Sequence, residues 1–84
     1  MLWRPLTDLS LGGCRFAGPA WEAAGSAVAL LLSFPAAGAS LQVRGTVVRA
    51  EADALAIRFD RLSDEQRASL RRHMQDSQDA RARG

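Results

Sequence analysis

Apolar and polar positions alternate with a period of two along most of the chain before Phe59, the signature of half-buried strands. From Ala27 the alternation puts Val28, Leu30, Leu32 and Phe34 on one face and Ala27, Ala29, Leu31 and Ser33 on the other. Both faces are apolar, so this strand is expected to be buried, or to face a partner, on each side. Pro35-Ala36-Ala37-Gly38 ends it, because Pro lacks a backbone donor and Gly suits a turn. Leu41, Val43 and Val47 then align opposite Gln42, Arg44 and Thr46, with Gly45 marking a bulge or sharp bend. After a turn at Glu51-Ala52-Asp53-Ala54, Leu55, Ile57 and Phe59 alternate with Ala56, Arg58 and Asp60. Short strands joined by tight turns in so small a chain argue for a mainly β protein, a small antiparallel barrel or a folded sheet.

The period changes after Phe59. Ser63-Asp64-Glu65-Gln66 reads as a capping box, with Ser63 satisfying a free helix N–H and Gln66 bonding back. Asp64 and Glu65 sit near the positive helix start, and Arg71 and Arg72 towards its end. Leu70 and Met74 recur at i, i+4 and predict a narrow apolar stripe laid on the barrel mouth. Residues 1–74 therefore read as one domain, a barrel plus a C-terminal α-helix. Residues 75–84 contain no apolar residue beyond alanine and read as a frayed tail.

Composition narrows the class. With 84 residues, 48% hydrophobic and 24% charged, the chain has enough apolar matter for one modest core and is globular rather than disordered. The stretch from Ala23 to Val43 is uncharged, but Gly25, Ser26, Ser33, Pro35, Gly38, Ser40 and Gln42 interrupt it, so it reads as two strands and a turn, not a membrane span. No signal-peptide pattern is visible, and the one cysteine, Cys14, has no partner for an internal disulfide; both features point to the cytoplasm. Cys14 reads as a small buried apolar residue.

The candidate chemistry lies in Asp8-Leu9-Ser10-Leu11-Gly12-Gly13, between the apolar run Leu2-Trp3 … Leu6 and the strand-like Cys14-Arg15-Phe16. Asp8 and Ser10, two apart, are expected on one strand face. A carboxylate there can accept hydrogen bonds from the N–H edge of a guanine, and Gly12 and Gly13 permit unusual backbone angles and close approach of a ring or phosphate. The same residues also suit a plain turn held by a side-chain-to-backbone bond from Asp8. All eleven basic residues are Arg, which favours planar contacts with phosphate or guanine, although the net charge is only +2.

Taken together, Thr7 to Phe16, the central run Leu41 to Arg49 and the exit Leu55 to Ser63 leading into a capped helix resemble the PilZ domain, the bacterial cyclic di-GMP receptor module. The resemblance spans Leu2 to Met74. It implies a non-catalytic signalling module that binds cyclic di-GMP and passes the signal to a protein partner. Asp8, Ser10 and Gly13 match the motif that contacts one guanine and its ribose-phosphate. The family's second element, an upstream Arg-x-x-x-Arg pair, has no counterpart before Asp8, where only Arg4 stands, and the first strand of the barrel is expected to be missing with it. Two absent charge-assisted contacts weaken binding by about 3–6 kcal/mol, roughly two to four decades in affinity. Arg4 and Arg15 are the nearest in sequence to replace them, and Arg44, Arg49 or Arg58 can approach across the sheet. A missing strand leaves an unpaired edge, which is expected to recruit a protein partner or second subunit. The alternative is a degenerate adaptor that binds no nucleotide and acts through protein–protein contacts.

Other classes fit less well. Arg67, Arg71 and Arg72 are interleaved with Asp64, Glu65 and Asp76, and no aromatic follows Phe59 to stack on bases, so the helix reads as a solvated face rather than a nucleic-acid site. Arg67 and Arg71 do spell Arg-x-x-x-Arg, but as an i, i+4 pair on that face. One Cys and one His, His73, cannot build a four-ligand zinc site, and the carboxylates show no pairing for acid–base work. No metal and no cofactor are expected. His73 reads as a helix-surface residue. Trp3 and Trp21 read as core, with stacking on a guanine as the functional alternative.

Overall fold

The computed structural model describes residues 3–74 and 80–83. Its strands are β1 (Arg4–Leu9), β2 (Gly13–Ala17), β3 (Ala27–Phe34), β4 (Ala39–Ala50), β5 (Ala54–Phe59) and β6 (Arg81–Arg83), with helix α1 (Asp64–His73) between β5 and β6. They close an antiparallel barrel in the order β1-β2-β5-β4-β3-β6. A two-residue alternation on each strand sends one set of side chains inward. Phe16, Leu32, Phe34, Val43, Val47, Leu55 and Ile57 fill the interior, and no buried polar or charged residue accompanies them among the described residues.

Closure is where the structure departs most from the sequence reading. The gap expected from a missing first strand is filled from the C-terminal end. β6 pairs with β1 through Arg4–Ala82 and Pro5–Arg81, and with β3 through Leu31–Arg83, Leu32–Ala82 and Ser33–Arg81. The Leu6 amide donates to the Ala80 carbonyl across the same seam at 3.1 Å. There is thus no open barrel edge among the described residues, and an edge-docked partner or second subunit has nowhere to pair. Fraying expected of residues 75–84 does not extend to 81–83; residues 75–79 and 84 lie outside the described residues. The seam was hidden because alanine looks uninformative in a sequence. Here the Ala80 and Ala82 methyls are buried in the core, and Arg81 and Arg83 project outward.

The other strands follow their patterns with local changes. β3 is buried on the Leu30, Leu32, Phe34 face only; Ala27 and Ala29 are exposed, and Leu31 and Ser33 half-buried. Pro35–Ala37 forms a single 3₁₀ turn that ends at Gly38 with φ 64°, a left-handed conformation suited to glycine. Gly45 is not a bulge. It faces inward, and a Cβ there would lie 2.6 Å from Ile57 Cγ2 and 2.7 Å from the Arg58 carbonyl, so glycine lets β5 cross close by. The register shifts fall elsewhere, between Val47 and Arg49 and between Leu6 and Asp8.

The capping box forms as the sequence predicts. The Gln66 amide donates to Ser63 Oγ at 3.0 Å, and the Ser63 amide to Gln66 Oε1 at 2.8 Å. Gln66 Nε2 also donates to the Gln42 carbonyl at 2.9 Å, tying α1 to β4. Leu70 enters the core fully buried and Met74 packs against it. His73 is half-buried rather than a surface residue, stacked on Phe34 at 5.2 Å between ring centroids. The tryptophans divide: Trp21 packs edge-on to Phe16 at 5.1 Å, whereas Trp3 is exposed beneath the Arg83 guanidinium.

Two predictions follow from this packing. Ala82→Leu inserts bulk at the closing seam and should cost about 1–3 kcal/mol in urea denaturation; an unchanged midpoint would mean that the seam is loose. Cys14 is 6% exposed, and burial pushes its thiol from 9.0 up to about 12. Below pH 9 the thiol is protonated in both states, and its contribution is fully present. Above that the unfolded chain releases the proton and the folded chain does not, so stability should fall by about 1.4 kcal/mol per pH unit until pH reaches 12. The chain has no Tyr and no Lys, the other residue types whose ordinary values fall in this window. Cys14→Ala should flatten that slope in urea melts taken across it; a slope that persists would place its source elsewhere.

Candidate functional site

The elbow between β1 and β2 is a tight turn organised by Ser10. The Ser10 amide donates to the Gly13 carbonyl at 2.9 Å, and its hydroxyl donates to the same carbonyl at 3.3 Å. Ser10 Oγ accepts from the Gly12 amide at 3.2 Å and from the Gly13 amide at 3.3 Å. The side-chain-to-backbone bonds that hold this turn therefore come from Ser10, not from Asp8. β1 ends at Leu9, and its bulge precedes Asp8, so Asp8 and Ser10 do not share a strand face. Asp8 is left exposed at the end of β1, and among the described residues no group donates a hydrogen bond to its carboxylate.

The two glycines play different parts. Neither has a positive φ, so backbone freedom is not their reason. A Cβ on Gly13 would collide with the Ile57 carbonyl and crowd Arg58 Cα, because β2 runs tightly beside β5 there. A Cβ on Gly12 would meet only Ser10 Oγ at 3.8 Å, an ordinary contact. Gly12 contributes its carbonyl, which accepts from the Phe59 amide at 2.8 Å and locks the elbow onto the end of β5.

The sheet register brings other residues to Asp8. Asp8 pairs with Arg15, Arg15 with Ala56, and Ala56 with Arg49, one row crossing β1, β2, β5 and β4. Directly opposed residues on neighbouring strands share a face. In the adjacent row Gly13 pairs with Arg58 and Arg58 with Thr46. Asp8, Arg15, Arg49 and Arg58 are all exposed, while Ala56 between them is small and half-buried. These rows thus set the Asp8 carboxylate and three guanidiniums around a low apolar floor, about 14 Å across at the usual strand spacing. Arg49 is partly engaged, its Nε 3.5 Å from Glu51 Oε1. Such a surface can accept from the N–H edge of a guanine at Asp8 and donate to phosphate oxygens from the arginines.

Of the residues expected at the site, Asp8, Ser10, Gly13 and Arg15 come together and Arg4 does not. Arg4 stands at the other end of β1, its Nη1 donating to the Pro19 carbonyl at 2.9 Å and its guanidinium lying 4.9 Å from the Trp21 ring centroid. It braces the loop after β2. Register also brings Arg49 and Arg58 to the Asp8 and Arg15 face. Their signal in the sequence was the outward parity of β5 and of β4 beyond its bulge, and that bulge is not legible from the residues.

Among the described residues no three His, Cys, Asp or Glu side chains gather to hold a metal, and no helix is long and apolar enough to cross a membrane. The family model described as PilZ domain matches residues 2–76. No curated protein matches the chain, and no solved structure does.

The glycines yield a paired prediction. Gly13→Ala should destabilise the fold by about 1–3 kcal/mol, and Gly12→Ala should leave it within about 0.5 kcal/mol of the parent. Thermal melts of the two variants would read this difference, and equal losses would contradict the assigned contacts.

Proposed function

The chain belongs to the PilZ domain family, a family of cyclic di-GMP-binding signalling modules, and from that premise we propose that it binds cyclic di-GMP at the Asp8 face and relays the event to a protein partner in the cytoplasm. The observation that carries the reading is the row Asp8, Arg15, Ala56, Arg49. A free carboxylate faces outward beside guanidiniums held by strands rather than by a loop. Asp8 accepts from a guanine edge, Arg15 and Arg58 reach phosphate oxygens, and Gly13 keeps the elbow low enough for the ligand to lie against it. The module acts by occupancy and not by catalysis, as its family's signalling role implies.

A second reading is supported by how much of the motif the fold itself consumes. The Ser10 hydroxyl is committed to the turn, Gly13 to strand packing, and Arg4 to Pro19 and Trp21. A chain with these commitments keeps its elbow even without a nucleotide, and would then act as an adaptor through protein contacts alone.

Calorimetric titration with cyclic di-GMP, with GTP as control, distinguishes the two. The proposal predicts saturable binding selective over GTP, weakened at least about tenfold by Asp8→Ala. Asp8 is exposed, so the same variant should melt within about 0.5 kcal/mol of the parent. No heat from the folded parent would favour the adaptor, and binding indifferent to Asp8→Ala would remove the assigned face.

A further inference from the structure

A concavity of about 600 Å³ opens on the outside of the barrel where β3, β4, β6 and the segment leading into α1 meet. None of its lining residues belongs to the elbow. Its floor is apolar, formed by Ala29 and Leu31 on the outward side of β3, which explains why that strand reads as apolar on both faces. Around it stand Arg44 from β4, Arg61 beyond β5 and Arg83 from β6, three guanidiniums from three separate parts of the fold. Asp60 is the one acidic residue in the lining among the described residues, and its Oδ1 already accepts from Thr46 Oγ1 at 3.2 Å. Arg83 is further positioned by lying 4.7 Å from the ring centroid of the exposed Trp3.

We propose that this groove docks an acidic peptide segment of a partner protein, with leucine-like side chains on the Ala29–Leu31 floor and carboxylates on Arg44, Arg61 and Arg83. Charge complementarity fixes the sign of the partner, because three cations surround a floor with one engaged carboxylate. Shape favours a chain segment over a small molecule. Small ligands are usually buried over most of their surface, whereas this groove is open to solvent along the barrel wall and suits a strand or helix edge that continues beyond both ends. The inference takes up the partner half of the function proposed above and gives the partner a place other than a barrel edge. It does not require that the nucleotide bind.

The test is an NMR titration of the full chain with the peptide Glu-Leu-Glu-Glu-Leu-Glu, without nucleotide, against the same peptide with Lys in place of Glu. Saturable shifts are expected at the Ala29, Leu31, Arg44 and Arg83 amides, fading as salt is added, with none at Asp8 to Gly13. The double variant Arg44→Glu, Arg83→Glu should weaken binding at least about tenfold; Arg44→Gln with Arg61→Gln serves the same purpose if the reversal unfolds the protein. The inference is overturned by no saturable shift at millimolar peptide, by equal binding of the Lys peptide, or by shifts centred on the elbow. It is also overturned if cyclic di-GMP, titrated separately, shifts the groove amides at lower concentration than the peptide. Failure of nucleotide binding at Asp8 leaves the peptide result intact, so the two readings fail separately.

Discussion

A barrel this small keeps its interior shielded only while its first and third strands are held together, and here the segment from Ala80 to Arg83 does that. β6 contributes one inward side chain, Ala82, set between Arg4 on β1 and Leu32 on β3. Leu32 and Phe34 on β3 and Phe16 on β2 are fully shielded because that seam is shut. The elbow depends on the same closure at one remove. β1 is fixed between β6 and β2, so the exposed carboxylate of Asp8 is presented from a strand pinned on both sides and not from a free end.

The elbow shows how one short motif divides between the fold's own needs and a candidate ligand surface. Gly13 is required by the passage of β2 beside β5, and Ser10 by the turn it closes on itself. Asp8 is required by neither. Among the described residues no group bonds its carboxylate, which stands beside Arg15 and one small residue away from Arg49 and is the part of the motif left to solvent or a ligand. The structural duties of Ser10 and Gly13 therefore explain why the turn exists, and the idleness of Asp8 explains why it is a candidate for recognition.

Much of this was legible in the residues. The inward sets Val28–Phe34, Leu41–Val47 and Leu55–Phe59 follow from alternation, and the capping box at Ser63 from four residues. What could not be read depended on contacts distant in sequence. Gly45 looked like a bulge because the sequence does not show that Ile57 crosses over it. Arg81-Ala82-Arg83 looked like tail because alternation over three residues, with alanine as the apolar member, carries too little signal until β1 and β3 are seen on either side. Arg4 looked near the elbow because it is near in sequence, yet an extended strand carries it to the opposite end of β1. The apolar outer face of β3 is visible in the sequence, and only the tertiary arrangement shows that it floors a groove rimmed by Arg44, Arg61 and Arg83.

Closure of the barrel within one chain by β6 is the claim on which the rest stands, and native-state hydrogen exchange at the Leu6 amide tests it most directly. That amide donates to the Ala80 carbonyl across the seam. The account predicts protection close to that of the central β4–β5 amides, with exchange only through global unfolding. Exchange of Leu6 at the rate of an unstructured chain, while β4 and β5 remain protected, would show the seam open and contradict it.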